Sequence, residues 1–186
     1  TEFGKKATII ENTYNKGIAA ALNSIMNYAK CNGYDWFLTL DQDSVCMPEL
    51  IENYKKHLDD ARVAILSCAI QDRNFEDNAK KVQNIEDIEE CITSASFCRT
   101  EALVKVGGFD EQMFIDGVDF DICKNLRNHG YKICKIGYVG LLHEVGHGRN
   151  VRLLWKKRVI YNHSFLRNYY MARNRLYLVK KYPGCY

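Results

Sequence analysis

Apolar residues recur along this chain in two alternating periods. Ala7 to Asn12 reads as a short strand. Gly17 to Ala29 carries Ile18, Leu22, Ile25 and Ala29 on one stripe, the spacing of a helix. Asp35 to Leu40 is an apolar, aromatic-rich run of the kind buried on both faces of a sheet. Pro48 suits the first turn of a helix reaching about Asp60. Val63 to Ile70 repeats the buried-strand pattern, and the polar stretch 71–81 reads as a loop. Val82 to Ile85 reads as an edge strand and Ile92 to Phe97 as another extended piece. Thr100 caps a short helix ending at Gly107-Gly108. A helix from Val118 to Gly130 turns Ile122 and Leu126 inward, and Tyr131 to Leu142 holds one or two strands. A long helix follows from His163 to Tyr182. Its Phe165, Tyr169, Ala172, Leu176 and Val179 form one apolar face, expected to meet a core or a membrane surface.

Strands alternating with helices predict a layered α/β fold with a mainly parallel sheet. The 186 residues suffice for one domain with its own core. With 47% hydrophobic and 26% charged residues, disorder is excluded. No stretch approaches the roughly 18 apolar residues of a membrane span. The chain opens without Met or a signal peptide, which reads as a piece of a longer protein. The 8 cysteines are scattered without a C-x-x-C pair. They read as free thiols of a cytoplasmic protein rather than a disulfide set or a zinc knuckle.

Charge splits the chain unevenly. No acidic residue follows Glu144, while residues 145–186 hold 10 of the 26 Lys and Arg. The remaining 16 basic residues face all 23 acidic ones, so the first 144 residues carry −7 and the tail +10. Such a tail meets something anionic, such as a phospholipid surface or a diphosphate, or is a solvated basic helix. The division expected is a core over 1–148 and a basic helical segment over 149–186. The tyrosines of that segment fit packing or membrane contact better than stacking on nucleic acid bases.

Two patterns carry candidate chemistry. Asp41-Gln42-Asp43 directly follows an apolar strand, and ligands in α/β sheets sit beyond the carboxyl ends of strands. Two such carboxylates suit Mg²⁺ or Mn²⁺, and equally suit an Asp-rich turn. His143-Glu144-Val145-Gly146-His147 matches the H-E-x-x-H zinc-protease spacing. That mechanism needs both His one turn apart on a helix, and Gly140, Gly146 and Gly148 oppose one.

Further blocks stand in order around these. They are Asn15-Lys16-Gly17 through Asn23, then the Asp-x-Asp strand end, then Gly107-Gly108-Phe109-Asp110-Glu111. Phe114-Ile115-Asp116-Gly117-Val118-Asp119-Phe120-Asp121-Ile122-Cys123 follows, closing on Gly130-Tyr131. From about residue 8 to 183, the chain resembles glycosyltransferase family 2. The Phe-Ile-Asp-x-Val-Asp-Phe-Asp form and Arg167-x-Tyr169-Tyr170-x-x-Arg173-Asn174 resemble its rhamnosyltransferase branch.

The resemblance implies an A-type glycosyltransferase fold, Rossmann-like with a mixed, mostly parallel sheet flanked by helices. Because the chain opens near the family's third strand, the first strands, which grip the nucleotide base, are expected to be missing. It implies inverting transfer of a sugar, with dTDP-L-rhamnose the favoured nucleotide-sugar donor. The acceptor is a saccharide or lipid-linked saccharide in cell-surface polysaccharide synthesis, at the inner face of a bacterial plasma membrane. Asp43 and Asp41 hold Mg²⁺ or Mn²⁺, with His143 a further metal contact. Asn15, Gly17, Asp41, Asp43 and Ser94 line the donor site, Gly17 by letting the backbone approach the donor. Asp119 is the base that deprotonates the acceptor. The Glu that precedes this base in the family is Val118 here, which keeps Asp116 as a second candidate. A non-catalytic relative of such enzymes and the zinc protease are the rival readings.

Overall fold

A computed structural model describes residues 7–72, 85–143, 148–153, 156–161 and 163–184, with backbone alone over 143–161. In chain order the elements are α1 (Ile18–Cys31), β1 (Trp36–Thr39), β2 (Val45–Cys46), α2 (Leu50–Lys55) and β3 (Val63–Asp72). Next come β4 (Glu86–Ile88), β5 (Ser96–Arg99), α3 (Thr100–Lys105), a 3-10 turn (Glu111–Met113) and α4 (Val118–Asn128). The last are β6 (Lys132–His143), β7 (Gly148–Leu153), β8 (Lys156–Tyr161) and α5 (Phe165–Lys181).

The main sheet runs β1-β5-β3-β6-β2, with β4 also on β6, and β7 and β8 form a separate hairpin. The layered α/β architecture is as expected, but less of its sheet is parallel. Strands β3 and β6 pair in parallel, whereas β5 runs antiparallel between β1 and β3. Both β2 and β4 are antiparallel to β6. Strand β5 reaches α3 without a turn, because Thr100 follows Arg99 directly.

Side chains alternate across the sheet. Phe37, Ile65, Cys98 and Ile133 face α1, α3, α4 and α5, while Leu66, Phe97, Cys134 and Ile136 face α2. Burying each large aliphatic contributes about 1.5–3 kcal/mol. Phe97 is stacked between Trp36 and Tyr54, with ring centroids at 5.2 and 5.5 Å. A Cβ at Gly140 would run into Leu50 and sit 2.9 Å from the Cys68 sulfur, so glycine lets α2 lie flat on β6. The seven cysteines among the described residues are free, and four of them are buried.

Several expectations need correcting. Ala7 to Asn12 is irregular and exposed. Strand β1 lies at the end of the sheet order and pairs only with β5 among the described strands, so this segment does not extend the sheet. On α1 the buried side chains are Ala19, Ala20, Leu22, Met26 and Ala29, with Ile18 and Ile25 outward. Asn23 sets that rotation: its Nδ2 donates to the Phe109 carbonyl and its Oδ1 accepts from the Phe109 N–H. Helix α2 stops at Lys55, short of Asp60. Thr100 is the first residue of α3, whose cap is Arg99, and its buried Oγ1 has no partner. Residues 82–84, 144–147 and Cys185 lie outside the described residues.

The apolar stripe of α5 also faces away from the core. Phe165 is 96% exposed, Leu176 73% and Tyr169 60%, whereas the buried side chains are Asn174 and Leu178. The helix docks largely through polar groups. Lys181 Nζ lies 2.7 Å from Asp110 Oδ2 and 2.8 Å from Asp121 Oδ1. Tyr177 donates to Asp110 at 2.8 Å and Tyr182 to Asp121 at 2.9 Å. Asp121 is only 1% exposed, so it depends on these donors. Among the described residues no helix is long and apolar enough to cross a membrane.

Replacing Lys181 with Met strips a partly buried pair of its cation. We expect Lys181→Met to lower unfolding free energy in urea by about 3 kcal/mol at neutral pH. Burial works to raise the Asp110 pKa, but hydrogen bonds from Lys181 and Tyr177 hold it below the usual carboxylate value. Its contribution is therefore present above that value and lost as pH falls through the depressed one. The mutational penalty should shrink in acid.

Candidate functional site

The Asp-x-Asp segment turns the chain from β1 into β2. The Ser44 N–H donates to the Asp41 carbonyl at 3.2 Å, closing a four-residue turn with Asp41, Gln42 and Asp43 exposed. Ser94, 2% exposed, supports it from below: its Oγ accepts from the Asp41 N–H at 3.2 Å and donates to Ser44 Oγ at 2.9 Å. Ala95 next to it sits at φ 58 and donates its N–H to the Thr39 carbonyl. Sequence expectation put Ser94 against the donor. The structure ties it to the Asp turn.

The second cluster lies at the start of α4. Met113, Phe114 and Ile115 form a tight γ-turn. Ile115 N–H reaches the Met113 carbonyl at 2.6 Å, and Phe114 has φ 55, ψ −64. Asp116 and Gly117 follow at φ 64 and 78, so the chain enters α4 through three positive-φ residues. Asn174 of α5 grips this segment. Its Nδ2 faces the carbonyls of Met113 and Ile115 at 2.8 Å and of Asp116 at 2.6 Å. Its Oδ1 accepts from Arg173. Arg167 forms a two-pronged pair with the Asp116 carboxylate, Nε to Oδ2 at 3.1 Å and Nη2 to Oδ1 at 3.2 Å. Tyr170 stacks on Phe114 at 4.9 Å.

Gly17 grips the segment from the other side. The Ile18 N–H donates to the Phe114 carbonyl at 2.6 Å. A Cβ on Gly17, at φ 88, would lie 2.7 Å from Phe114 Cδ2 and collide with its carbonyl oxygen. The close approach expected at Gly17 is thus to Phe114. Asn15 Oδ1 accepts from the Gly17 N–H at 2.9 Å, fixing the turn into α1.

The three carboxylates have different surroundings. Asp116 is held by Arg167, and Asp121 by Lys181 and Tyr182. Asp119 is bonded by the Phe120 N–H instead. Burial raises its pKa above the usual carboxylate range, the Phe120 bond opposes that, and the charges of Asp116 and Glu90 add to the rise. Cys91 and Cys123, their sulfurs 3.9 Å apart, join the loop before Ser94 to α4. That loop therefore runs between the Asp turn and the Asp119 end.

His143 ends β6 opposite Asp72 in the ladder, and its side chain is outside the description. His143 itself is in strand backbone, not on the helix that the H-E-x-x-H mechanism requires, and Glu144 to His147 lie outside the described residues. Among the described residues no three His, Cys, Asp or Glu side chains are grouped as a metal cage. Two hard carboxylates on an exposed turn still suit a cation that takes its remaining ligands from a diphosphate and water.

The family profile described as glycosyl transferase family 2 matches residues 1–117. The chain belongs to glycosyltransferase family 2. It is 28% identical over 183 residues to the dTDP-rhamnosyl transferase RfbF of Shigella flexneri, covering 90% of this chain and 61% of that protein. The chain thus spans about three-fifths of that relative's length. Among solved structures, it is similar to S. aureus TarS 1-349 in complex with UDP. The TM-score is 0.57 at 13% identity, over 73% of this chain and 42% of that one. It is also similar to the mannosyltransferase PcManGT from Pyrobaculum calidifontis in complex with GDP-Man and Mn²⁺. There the TM-score is 0.52 at 22% identity, over 70% of this chain and 39% of that one. These likenesses establish the A-type glycosyltransferase fold.

Sequence reading of this family 2 chain missed the carbonyl clamp at Asn174 and the Arg167–Asp116 pair. Both residues stood in the quoted motif, but no spacing rule says which backbone a buried Asn will cap. Asn174→Ala should cost about 2–3 kcal/mol in chemical denaturation, because it strands buried carbonyls. Asp119→Asn should do the opposite at neutral pH. The folded Asp119 carboxyl holds its proton more tightly than in the unfolded chain, so its ionisation as pH rises weakens the fold. The variant's thermal midpoint should exceed the parent's near pH 7, and the gap should close below about pH 4.

Proposed function

We propose that this chain catalyses inverting transfer of a sugar from a nucleotide-diphosphate donor to a saccharide hydroxyl. The observation that carries the reading is Asp119: a carboxylate with a raised pKa at the start of α4, beside two carboxylates that are already paired. A carboxylate whose pKa is raised is a stronger base for the acceptor's proton than an ordinary one. Asp116, bound to Arg167, is the weaker candidate.

In the proposed step the acceptor oxygen attacks the anomeric carbon as Asp119 takes its proton. The bond from that carbon to the diphosphate breaks on the opposite face, which inverts the centre. Asp43 and Asp41 would hold Mg²⁺ or Mn²⁺. The metal, when bound, neutralises charge on the leaving diphosphate. Ser94 holds the turn that presents both carboxylates. Asn15 and Gly17 set the α1 end of the donor site, and His143 is a further candidate contact for the metal.

The favoured donor is dTDP-L-rhamnose, supported by the Phe-Ile-Asp-x-Val-Asp-Phe-Asp motif and by the likeness to a dTDP-rhamnosyl transferase. The acceptor read from this is a saccharide, free or lipid-linked, of a bacterial surface polysaccharide. The work would be done at the cytoplasmic membrane face, with the basic segment 149–186 toward the lipid.

Calorimetric titration of dTDP, UDP and GDP, each with and without Mn²⁺, tests the donor half. Mn²⁺-dependent binding of dTDP is expected, weakened at least tenfold by Asp43→Ala. Binding unaffected by Mn²⁺ or by the substitution overturns the metal assignment. In a transfer assay from dTDP-L-rhamnose, Asp119→Asn should lower kcat by at least about a hundredfold. A variant as active as the parent removes Asp119 from the mechanism.

A further inference from the structure

Helix α5 turns its polar side to the protein and its apolar side to solvent. Asn174 and Leu178 are buried, and Arg167 and Lys181 pair with Asp116 and Asp110 on the inner side. On the outer side Phe165 is 96% exposed, Tyr169 60%, Leu176 73% and Val179 44%, with Ala172 exposed between them. These five residues follow a spacing of four, three, four and three, so they make one continuous stripe about 20 Å long.

The flanks of the stripe are basic. Lys180 stands on one side and Arg175 on the other, both exposed, and α5 contains no acidic residue. No acidic residue occurs anywhere after Glu144. An apolar stripe between cations is the pattern of a helix lying in the plane of an anionic bilayer, apolar side down. It is too short to span the roughly 30 Å hydrocarbon layer, and its charges forbid insertion. A second copy of this chain fits the stripe poorly, because self-contact would bring Arg175 and Lys180 against their own kind.

We propose that the outer face of α5, Phe165, Tyr169, Ala172, Leu176 and Val179 between Arg175 and Lys180, is a docking surface for anionic phospholipid. This rests on the membrane-side reading given above and gives it a defined surface. Its test uses neither donor nor acceptor, so it stands or fails separately from sugar transfer.

The experiment is co-sedimentation of the purified chain with vesicles of phosphatidylcholine alone or with phosphatidylglycerol added. Two double variants, Phe165→Asp/Leu176→Asp and Arg175→Glu/Lys180→Glu, alter only exposed side chains. Circular dichroism and thermal midpoints confirm that each is folded. The parent should pellet with the anionic vesicles and much less with the neutral ones. Each variant should lower partitioning more than tenfold, since one basic residue near the surface is worth about fivefold. Raising salt should weaken binding of the parent. The proposal is overturned if the folded parent stays in the supernatant with anionic vesicles. It is equally overturned if it pellets and neither variant changes that. A dimer of the parent in light scattering, abolished by Phe165→Asp/Leu176→Asp, would assign the stripe to a second copy instead.

Discussion

The acidic end of this protein depends on holding one segment in a conformation the backbone disfavours. Phe114 sits at the centre of a γ-turn, and Asp116 and Gly117 continue at positive φ. Each such non-glycine residue costs of order 1–3 kcal/mol and persists only where its surroundings over-determine it. Here they do so from two sides. Gly17 and the Ile18 N–H press on Phe114 from the start of α1. Asn174, Arg167 and Tyr170 grip the same residues from α5. The contacts join residues about a hundred positions apart at one end and about sixty at the other, so the segment is shaped only once the whole layer has assembled.

The result of that shape is an unequal treatment of three acids. Helix α4 could stabilise acidic side chains at its N-terminus without help. The protein instead matches Asp116 with Arg167 and Asp121 with Lys181 and Tyr182, and leaves Asp119 to backbone N–H groups, that of Phe120 and its own. Burial then raises Asp119, and the neighbouring negative charges of Asp116 and Glu90 add to it. A carboxylate kept reluctant to ionise weakens the fold and suits proton transfer. The paired acids do the reverse, since Asp110 and Asp121 hold α5 in place. The paired acids and the one whose pKa burial raises are thus separated by their partners within about a dozen residues.

Much of this architecture was legible in the sequence. Buried-strand runs marked β1 and β3, and period-3.6 spacing found α1, α4 and α5 within a few residues. The Asp turn at the end of β1 followed from the strand alone. What was not legible has a common physical origin. A strand pattern at Ala7 to Asn12 cannot say whether a partner ladder exists. A helical stripe says that an apolar face exists, not what it faces, so Ile18 and Ile25 lie outward on α1. Gly17 announced a close approach but not that Phe114 would be the neighbour. Hydropathy is blind to Asn174, a polar residue 1% exposed, because its stabilisation comes from directional bonds to carbonyls sixty residues away. The Arg167-x-Tyr169-Tyr170-x-x-Arg173-Asn174 motif located it, and only the fold gives the reason.

Helix α5 is where these arguments meet. A helix that docked by its apolar stripe would have no reason to present Asn174, Arg167 and Lys181 to α4. A helix that docks by those polar groups must leave Phe165, Leu176 and Val179 outside, where water makes them costly until something covers them. The two faces are one choice of rotation. Turning α5 by half a turn about its axis would bury the stripe, release the carbonyls of Met113, Ile115 and Asp116, and leave Asp121 without its lysine. The same side-chain geometry that fixes the entry to α4 therefore sets which surface the protein shows to its surroundings.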